Sequence, residues 1–451
     1  MGCKRYKSWA NLKFRLNLER KTFLRTAQFF SFLVGFGIFS IIALLQLLRP
    51  IKIPFADDWL VLNYLTHGVG ANFTNIFRLV NGHQIALSKI LFWLIGVVNA
   101  NPIELVGILN LFFLAGSLYL LSKYSINNYK VRKSLPTQII ILILILPLKP
   151  MQNYFMPICS GWVQAIFFIG LFLTSKKMEN KRDKIKTMLS ILIAPFTIGL
   201  GLTIPITQIF TSLSKVKNRK NNRKIEVFFI FLSFVSILIS YVIPRLIYKS
   251  SNATSRNLPS AIDLPWEILK FIFTLLGSPF VPASRFDSWL PMTVGMSLVS
   301  LLIAFLHKNK INSFFHATEQ TLIPIGLIFT ILLVFTRFQG AGHEPIISAA
   351  PRYVSGTSLL ILGCFLLIQD KLQIQLRYFM LVIAFAILLS GLKTGLEWQT
   401  IRFKESNQIV KCLNDNLPRN QDTCIMKLKE YALVDPNFDF QNAAQHFLKA
   451  R

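Results

Sequence analysis

Two adjacent aspartates, Asp57 and Asp58, are the only acidic residues between Lys21 and Pro102. Paired carboxylates can accept a proton from a nucleophile, and their oxygens can hold a divalent cation such as Mg²⁺ or Mn²⁺. The alternative is a solvated pair at the start of a helix, where negative charge is favourable. The residues alone leave both interpretations open, and they make no cofactor certain.

A histidine shares the segment that follows the aspartate pair. His83 lies in Asn81-Gly82-His83-Gln84 and could donate a hydrogen bond to an anionic group or orient a substrate. A single histidine before a helix is more often a cap or a surface residue. Its functional interest comes from sharing one loop with Asp57 and Asp58.

A second group of residues, near the end of the chain, is suited to binding phosphate. Arg337 and Arg352 flank a segment that contains His343 and is followed by Tyr353. Guanidinium groups bind phosphate through two parallel hydrogen bonds and stabilise the charge of a leaving phosphate. The alternative is that the arginines lie at helix ends and extend to the membrane surface. His343 and Glu344 lack a second ligand at helical spacing, so they predict no zinc site.

The composition predicts an all-α polytopic membrane protein. Of the 451 residues 53% are hydrophobic and 15% are charged, whereas soluble domains have about 25% charged residues. The net charge of +29 comes from basic residues in the gaps between apolar blocks, as the positive-inside rule expects. This distribution argues against nucleic acid as a partner and makes membrane lipids, anionic ones included, the expected surroundings.

The apolar blocks predict about 11 transmembrane helices, with a cytoplasmic N-terminus and an extracytoplasmic C-terminus. The first extracytoplasmic loop spans about residues 49–102, and its apolar part, Ile85–Val98, is short for a span and predicts an outer-interface helix. Pro265–Phe280 predicts another. Crossings are predicted near Gln28–Leu48, Ile103–Leu121, Gln138–Leu148, Trp162–Thr174, Val227–Ile247, Leu290–Leu306, Thr318–Phe335, Tyr353–Leu367 and Tyr378–Leu392, with two more short ones that meet at a Gly/Pro break between Lys186 and Lys215.

The last part of the chain differs from the rest. We predict a transmembrane domain over residues 1–393 and a small extracytoplasmic cap over 394–451, with a helix near Phe440–Ala450. Cys412 and Cys424 both lie in this cap. An oxidising compartment would permit a disulfide between them, but spacing alone does not establish the geometry.

The pattern resembles the GT-C superfamily of integral-membrane glycosyltransferases, which use polyprenyl-phosphate-linked sugars. The resemblance rests on the early acidic pair, the interfacial helix after it and the late Pro351-Arg352-Tyr353. It is closest to a bacterial branch with Asp-Asp-Trp followed by Asn-Glu-His-Arg. Here Asp57-Asp58-Trp59 matches, whereas Asn81-Gly82-His83-Gln84 keeps the histidine and lacks the Glu and the Arg.

The resemblance implies an inverting glycosyltransferase of the bacterial plasma (inner) membrane. Asp57 would be the base, Asp58 and His83 would assist, and a phosphate site would bind the polyprenyl-phosphate-sugar donor. The implied acceptor is an extracytoplasmic glycan, lipid or protein. The residues expected to bind the donor phosphate are Arg352, Arg337, Tyr353 and His343.

Three other functions remain open from the sequence. An O-antigen polymerase or ligase would depend on Arg337 and His343 rather than on the early aspartates. A lipid-linked-sugar transporter or flippase should carry charged residues within its spans. The third alternative is a membrane scaffold without catalytic activity.

Overall fold

The computed structural model describes most of the helical part of the chain. The described residues are 33–52, 76–79, 84–98, 102–128, 134–150, 152–156, 159–176, 180–218, 223–247, 263–281, 288–308, 321–337, 353–369 and 372–415. Every regular element in these ranges is helical, which confirms the predicted all-α class. Three of the helices are long and apolar enough to cross a bilayer, and seven shorter apolar helices accompany them. The chain is therefore a helical membrane protein, while the number of crossings stays a prediction.

The α-helices of the described ranges are numbered α1 to α15 in chain order. They are α1 Leu33–Leu48, α2 Ala86–Val98, α3 Pro102–Asn128, α4 Leu135–Ile145, α5 Gln152–Phe155, α6 Ser160–Ser175, α7 Lys181–Ile193, α8 Thr203–Asn218, α9 Arg223–Ile237, α10 Ile243–Ile247, α11 Leu264–Gly277, α12 Leu290–Lys308, α13 Leu322–Arg337, α14 Val354–Ile368 and α15 Ile374–Asp415. Every helix that the sequence predicts within the described ranges has a counterpart among these helices. The membrane position of α2 and α11, predicted to be interfacial, stays a prediction.

Helices α4, α6 and α14 form the centre of the molecule. Ten residues of α4 are buried, from Pro136 to Ile145, which is expected of a helix that is apolar on every side. Helix α4 packs against α3, α14 and α15, and α6 packs against α3 and α7. These contacts place α4 and α6 among other helices of the described ranges.

The predicted break between two short helices is present. Helix α7 ends at Ile193, two 3-10 turns follow, and α8 begins at Thr203. A Cβ on Gly201 would lie 1.9 Å from the carbonyl oxygen of Ala194, and one on Gly161 of α6 would lie 2.2 Å from that of Thr197. Glycine is therefore required at both positions, and α6 covers the break. Protein shields the non-helical backbone, as a low-dielectric environment demands.

Helix α15 is longer than predicted. The apolar stretch near Tyr378–Leu392 does not mark the end of the helix, because α15 continues to Asp415 and spans 42 residues. Residues 393–415 contain no proline and are rich in Lys, Glu, Gln and Leu, which favour helix in water as well as in lipid. The fall in hydropathy marks the end of the apolar stretch only, so one helix runs across the predicted domain boundary at 393/394.

The second half of α15 lies beside the start of the predicted first loop. Arg49 donates to Thr400 Oγ1 at 3.1 Å, and the backbone N–H of Lys52 donates to Ser406 Oγ at 3.1 Å. Gln399 Nε2 donates to the carbonyl oxygen of Arg49. The chain that leaves α1 and the helix that leads to the predicted cap are therefore on the same side of the molecule.

Cys412, near the end of α15, takes part in a disulfide bond, while Cys159 and Cys364 are free. Cys424, the predicted partner, lies outside the described residues. We expect Cys412 to resist alkylation in the denatured, unreduced protein, whereas Cys159 and Cys364 should react fully. Peptide mass spectrometry before and after reduction checks this. Complete alkylation of Cys412 without reductant would contradict it.

Candidate active site

The first turn of α6 carries a closed set of buried hydrogen bonds. Ser160 Oγ donates to Ser88 Oγ at 2.9 Å, and Ser88 Oγ donates to Gln164 Oε1 at 3.3 Å. Gln164 Nε2 donates back to Ser160 Oγ at 3.2 Å. All three residues are buried. The set fixes α2, which follows the segment containing His83, against α6.

Trp162, in the same turn of α6, contacts the late part of the chain. Its ring meets the rings of Tyr353 and Phe329 edge-on, with centroid distances of 5.8 Å in both cases. Tyr353 immediately precedes α14 and is 1% exposed. Edge-to-face aromatic pairs stabilise a packing beyond the area that they bury. The start of α14, directly after Arg352, is therefore fixed against α6.

The segment between α4 and α6 completes this end of the core. Asn153 Nδ2 donates to Ser355 Oγ of α14 at 3.1 Å. Tyr154 OH donates to the carbonyl oxygen of Pro147 at 2.7 Å, and Asn110 of α3 donates to the backbone of Tyr154 at 3.2 Å. The segment is thus held by a hydrogen bond within itself and by hydrogen bonds to α3 and α14.

Lys149 in this segment binds the end of another helix. Its Nζ donates to the carbonyl oxygens of Ser278 and Val281, which follow α11. Carbonyl groups at a helix C-terminus carry partial negative charge and favour an ammonium group. Burial nevertheless lowers the pKa of Lys149 to about 7. A neighbouring cavity of about 10 Å³ has room for at most one water molecule, so it is not a sugar site.

The pKa of Lys149 predicts a pH-dependent stability. An unfolded lysine has a pKa of 10.5 and the folded one about 7, so between these values the unfolded state binds more protons. The free energy of unfolding should therefore rise with pH, by up to about 1.4 kcal/mol per unit. We expect the wild type to gain stability from pH 7 to pH 9 relative to Lys149→Met, in detergent denaturation titrations at both pH values. A constant difference between the two proteins would contradict the lowered pKa of Lys149.

The residues on either side of His83 are also anchored. Gln84 Nε2 donates to the carbonyl oxygen of Phe77 at 3.1 Å, and Gln84 Oε1 accepts from the backbone of Ile85 at 3.1 Å. Lys89 of α2 is fully buried, and its Nζ donates to the carbonyl oxygen of Arg78 at 2.6 Å. These contacts join the residues before and after His83.

The predicted site residues are only partly within the described structure. Asp57, Asp58, His83, His343 and Arg352 lie outside the described residues. Arg337 is the last residue of α13, but its side chain is outside the description; Tyr353 is described and packs on Trp162. Within the described ranges no three or more His, Cys, Asp and Glu side chains form a metal-binding group. Because both aspartates are outside those ranges, their metal binding stays a prediction.

Sequence reasoning missed several residues that organise this region. Lys89 is the only Lys, Arg, Asp or Glu between Arg78 and Glu104, and Lys149 is the only one between Lys133 and Lys176. An isolated charge in an apolar block is costly and marks a residue with a specific partner. That signal was available for both lysines. The Ser88, Ser160 and Gln164 set offered no such signal, because serine and glutamine also occur singly in membrane helices.

Comparisons with protein-family models, curated proteins and solved structures gave no match to this chain. What the fold and the described residues define is a helical membrane protein with a buried polar and aromatic junction. We call this junction the α6 junction, consisting of Ser160, Trp162 and Gln164 with their partners Ser88 and Tyr353.

Proposed function

We propose that the protein is a membrane glycosyltransferase that moves a sugar from a polyprenyl-phosphate donor to an extracytoplasmic acceptor with inversion. The observation that carries the proposal is that Ser88 and Tyr353, which are close in sequence to His83 and Arg352, both pack against α6. Ser88 lies five residues after His83, and Tyr353 directly follows Arg352. Their contacts on α6 fall within five consecutive residues, a length of about 6 Å along a helix. This spacing supports one site built from two distant parts of the chain.

The proposed reaction is a single displacement. The carboxylate of Asp57 takes the proton of an acceptor hydroxyl, whose oxygen attacks the anomeric carbon of the donor sugar. The bond from that carbon to the phosphate oxygen breaks, and its electron pair leaves with the polyprenyl phosphate. Attack from the side opposite the leaving group inverts the configuration of the anomeric carbon.

The remaining predicted residues have supporting roles. Arg352, with Arg337, His343 or His83, would stabilise the charge on the departing phosphate, and Asp58 would assist Asp57 through a hydrogen bond or a bound cation. Lys89 and Lys149 donate to backbone carbonyl groups. We therefore assign them positioning roles, because buried and hydrogen-bonded supports keep a catalytic arrangement in register.

Alanine substitutions at the two predicted motifs test this proposal against a polymerase or ligase. Sugar transfer by the purified protein in lipid is compared among Asp57→Ala, Arg337→Ala and His343→Ala. We expect the aspartate variant to lose activity most severely. Full activity of Asp57→Ala with loss in the other two would contradict the glycosyltransferase and favour the polymerase or ligase.

A further inference from the structure

An apolar groove lies between the first turns of α7 and α9. It has a volume of about 320 Å³, and its apolar lining includes Ile185, Met188 and Phe228. Three lysines, Lys181, Lys184 and Lys224, also line it. A groove that combines an apolar floor with several cationic groups suits a ligand that has both an apolar part and an anionic group.

The charges around these lysines bear on what the groove can bind. None of the three forms an ion pair with a residue in the part of the chain that the structure describes. Glu226, the buried acid of α9, is already bound to Lys215 at 3.2 Å and accepts from Ser212 at 2.5 Å. Asp183 lies on the same turn of α7 and offsets only one of the charges.

The groove opens onto the part of α9 and α10 that is exposed on the protein surface. Phe228, Phe231 and Phe234 are 49%, 64% and 58% exposed. A π-helical turn, Leu238–Val242, joins α9 to α10, and the exposed apolar face continues across it to Leu246. In a membrane helix such a face contacts acyl chains. A long apolar chain can therefore pass from the groove directly into the bilayer, whereas a free phosphate would use only the lysines.

We infer that the groove binds an anionic phospholipid, with the phosphate on Lys181, Lys184 and Lys224 and one acyl chain along Met188 and Phe228. The basic segments around it are predicted to be cytoplasmic, where anionic lipids attract juxtamembrane lysines. This site is independent of the proposed sugar transfer, so the failure of either leaves the other standing.

A tryptophan reporter next to the groove tests the inference. Phe231→Trp places an indole one turn beyond Phe228, and Leu301→Trp, 67% exposed on α12 before substitution, is the matched reporter elsewhere. Each protein is reconstituted with phosphatidylcholine and with phosphatidylglycerol that carry dibrominated acyl chains, which quench nearby indoles. The quenching of the wild type, whose seven native tryptophans also respond, is subtracted from that of each variant. In the difference we expect a preference for phosphatidylglycerol of at least about fivefold at Phe231→Trp, which is the contribution of one lysine, and none at Leu301→Trp.

Charge variants in the Phe231→Trp background complete the test. Replacing all three lysines with Gln should reduce the preference to about one, while replacing all three with Arg should keep it. The Arg variant separates loss of charge from misfolding. An equal response to both lipids in the parent, or a preference that survives the Gln substitutions, would overturn the inference. Quenching by neither lipid would mean that protein covers the groove, and would also overturn it.

Discussion

Replacement of Asp57 by Asn should lower the rate of sugar transfer by about 100- to 10,000-fold, which is the usual contribution of a positioned general base. Asparagine keeps the size of the side chain and its oxygen but cannot take up the acceptor proton. Folding should be unaffected, and donor binding should change little. Initial rates at saturating donor measure the effect directly.

Glu397→Gln is the matched control for this variant. Glu397 is exposed on α15, on the side of the molecule where α15 contacts the start of the first loop, and the substitution also removes one carboxylate. We expect it to retain wild-type activity. Equal rates for Asp57→Asn, Glu397→Gln and the wild type would reduce the aspartate pair to a helix cap and remove the proposed base.

The second large effect is a loss of stability that we expect on substitution of Trp162. Trp162→Ala removes a side chain that is 3% exposed and contacts both Tyr353 and Phe329. Deleting a buried aromatic ring costs about 3–5 kcal/mol, because the cavity that it leaves collapses only in part. The variant should also transfer sugar slowly, since Tyr353, which directly follows Arg352 in the sequence, loses its contact with Trp162.

Trp162→Phe separates the aromatic contact from the general loss of volume. Phenylalanine keeps an aromatic ring at the α6 junction, so we expect a smaller loss of stability than for alanine and measurable activity. Denaturant titrations of the three proteins in one detergent give the free energies of unfolding. A loss below about 1 kcal/mol in Trp162→Ala would contradict a packed junction.

Most helices of this fold could be predicted, because the apolar blocks and their breaks follow from local sequence. The interruption between α7 and α8 is a clear case: Pro195, Gly199 and Gly201 predict it, and the 3-10 turns occur there. The predicted end of α15 was wrong, because hydropathy indicates whether a helix lies in lipid or in water and does not indicate where the helix ends. A polar helix outside the bilayer is as regular as the apolar part that precedes it.

The composition of the α6 junction could not be predicted from the sequence. Ser88, Ser160 and Gln164 come from two segments more than 70 residues apart, and their hydrogen bonds arise from tertiary packing. Trp162 was predicted only as part of a span. By contrast, the isolation of Lys89 and Lys149 in apolar blocks was a signal that could have marked both as buried charges with specific partners, although the sequence analysis missed it.

Of the described features, the buried Lys89 is the one most typical of a transporter. A charged residue inside an apolar helix often marks a substrate or proton path. Here its ammonium group donates to the carbonyl oxygen of Arg78 and joins two segments near His83. That contact supports a positioning role, because the ammonium group binds a backbone carbonyl group of the protein itself.

The most direct measurement of the central claim is the reaction itself. The purified wild type in lipid is supplied with a panel of polyprenyl-phosphate sugars and with water or a glycan as acceptor, and free polyprenyl phosphate is measured. The account predicts that one donor releases polyprenyl phosphate and gives a product of inverted anomeric configuration, and that Asp57→Asn gives neither. Vesicle-to-vesicle or leaflet-to-leaflet movement of intact donors without their cleavage would contradict it.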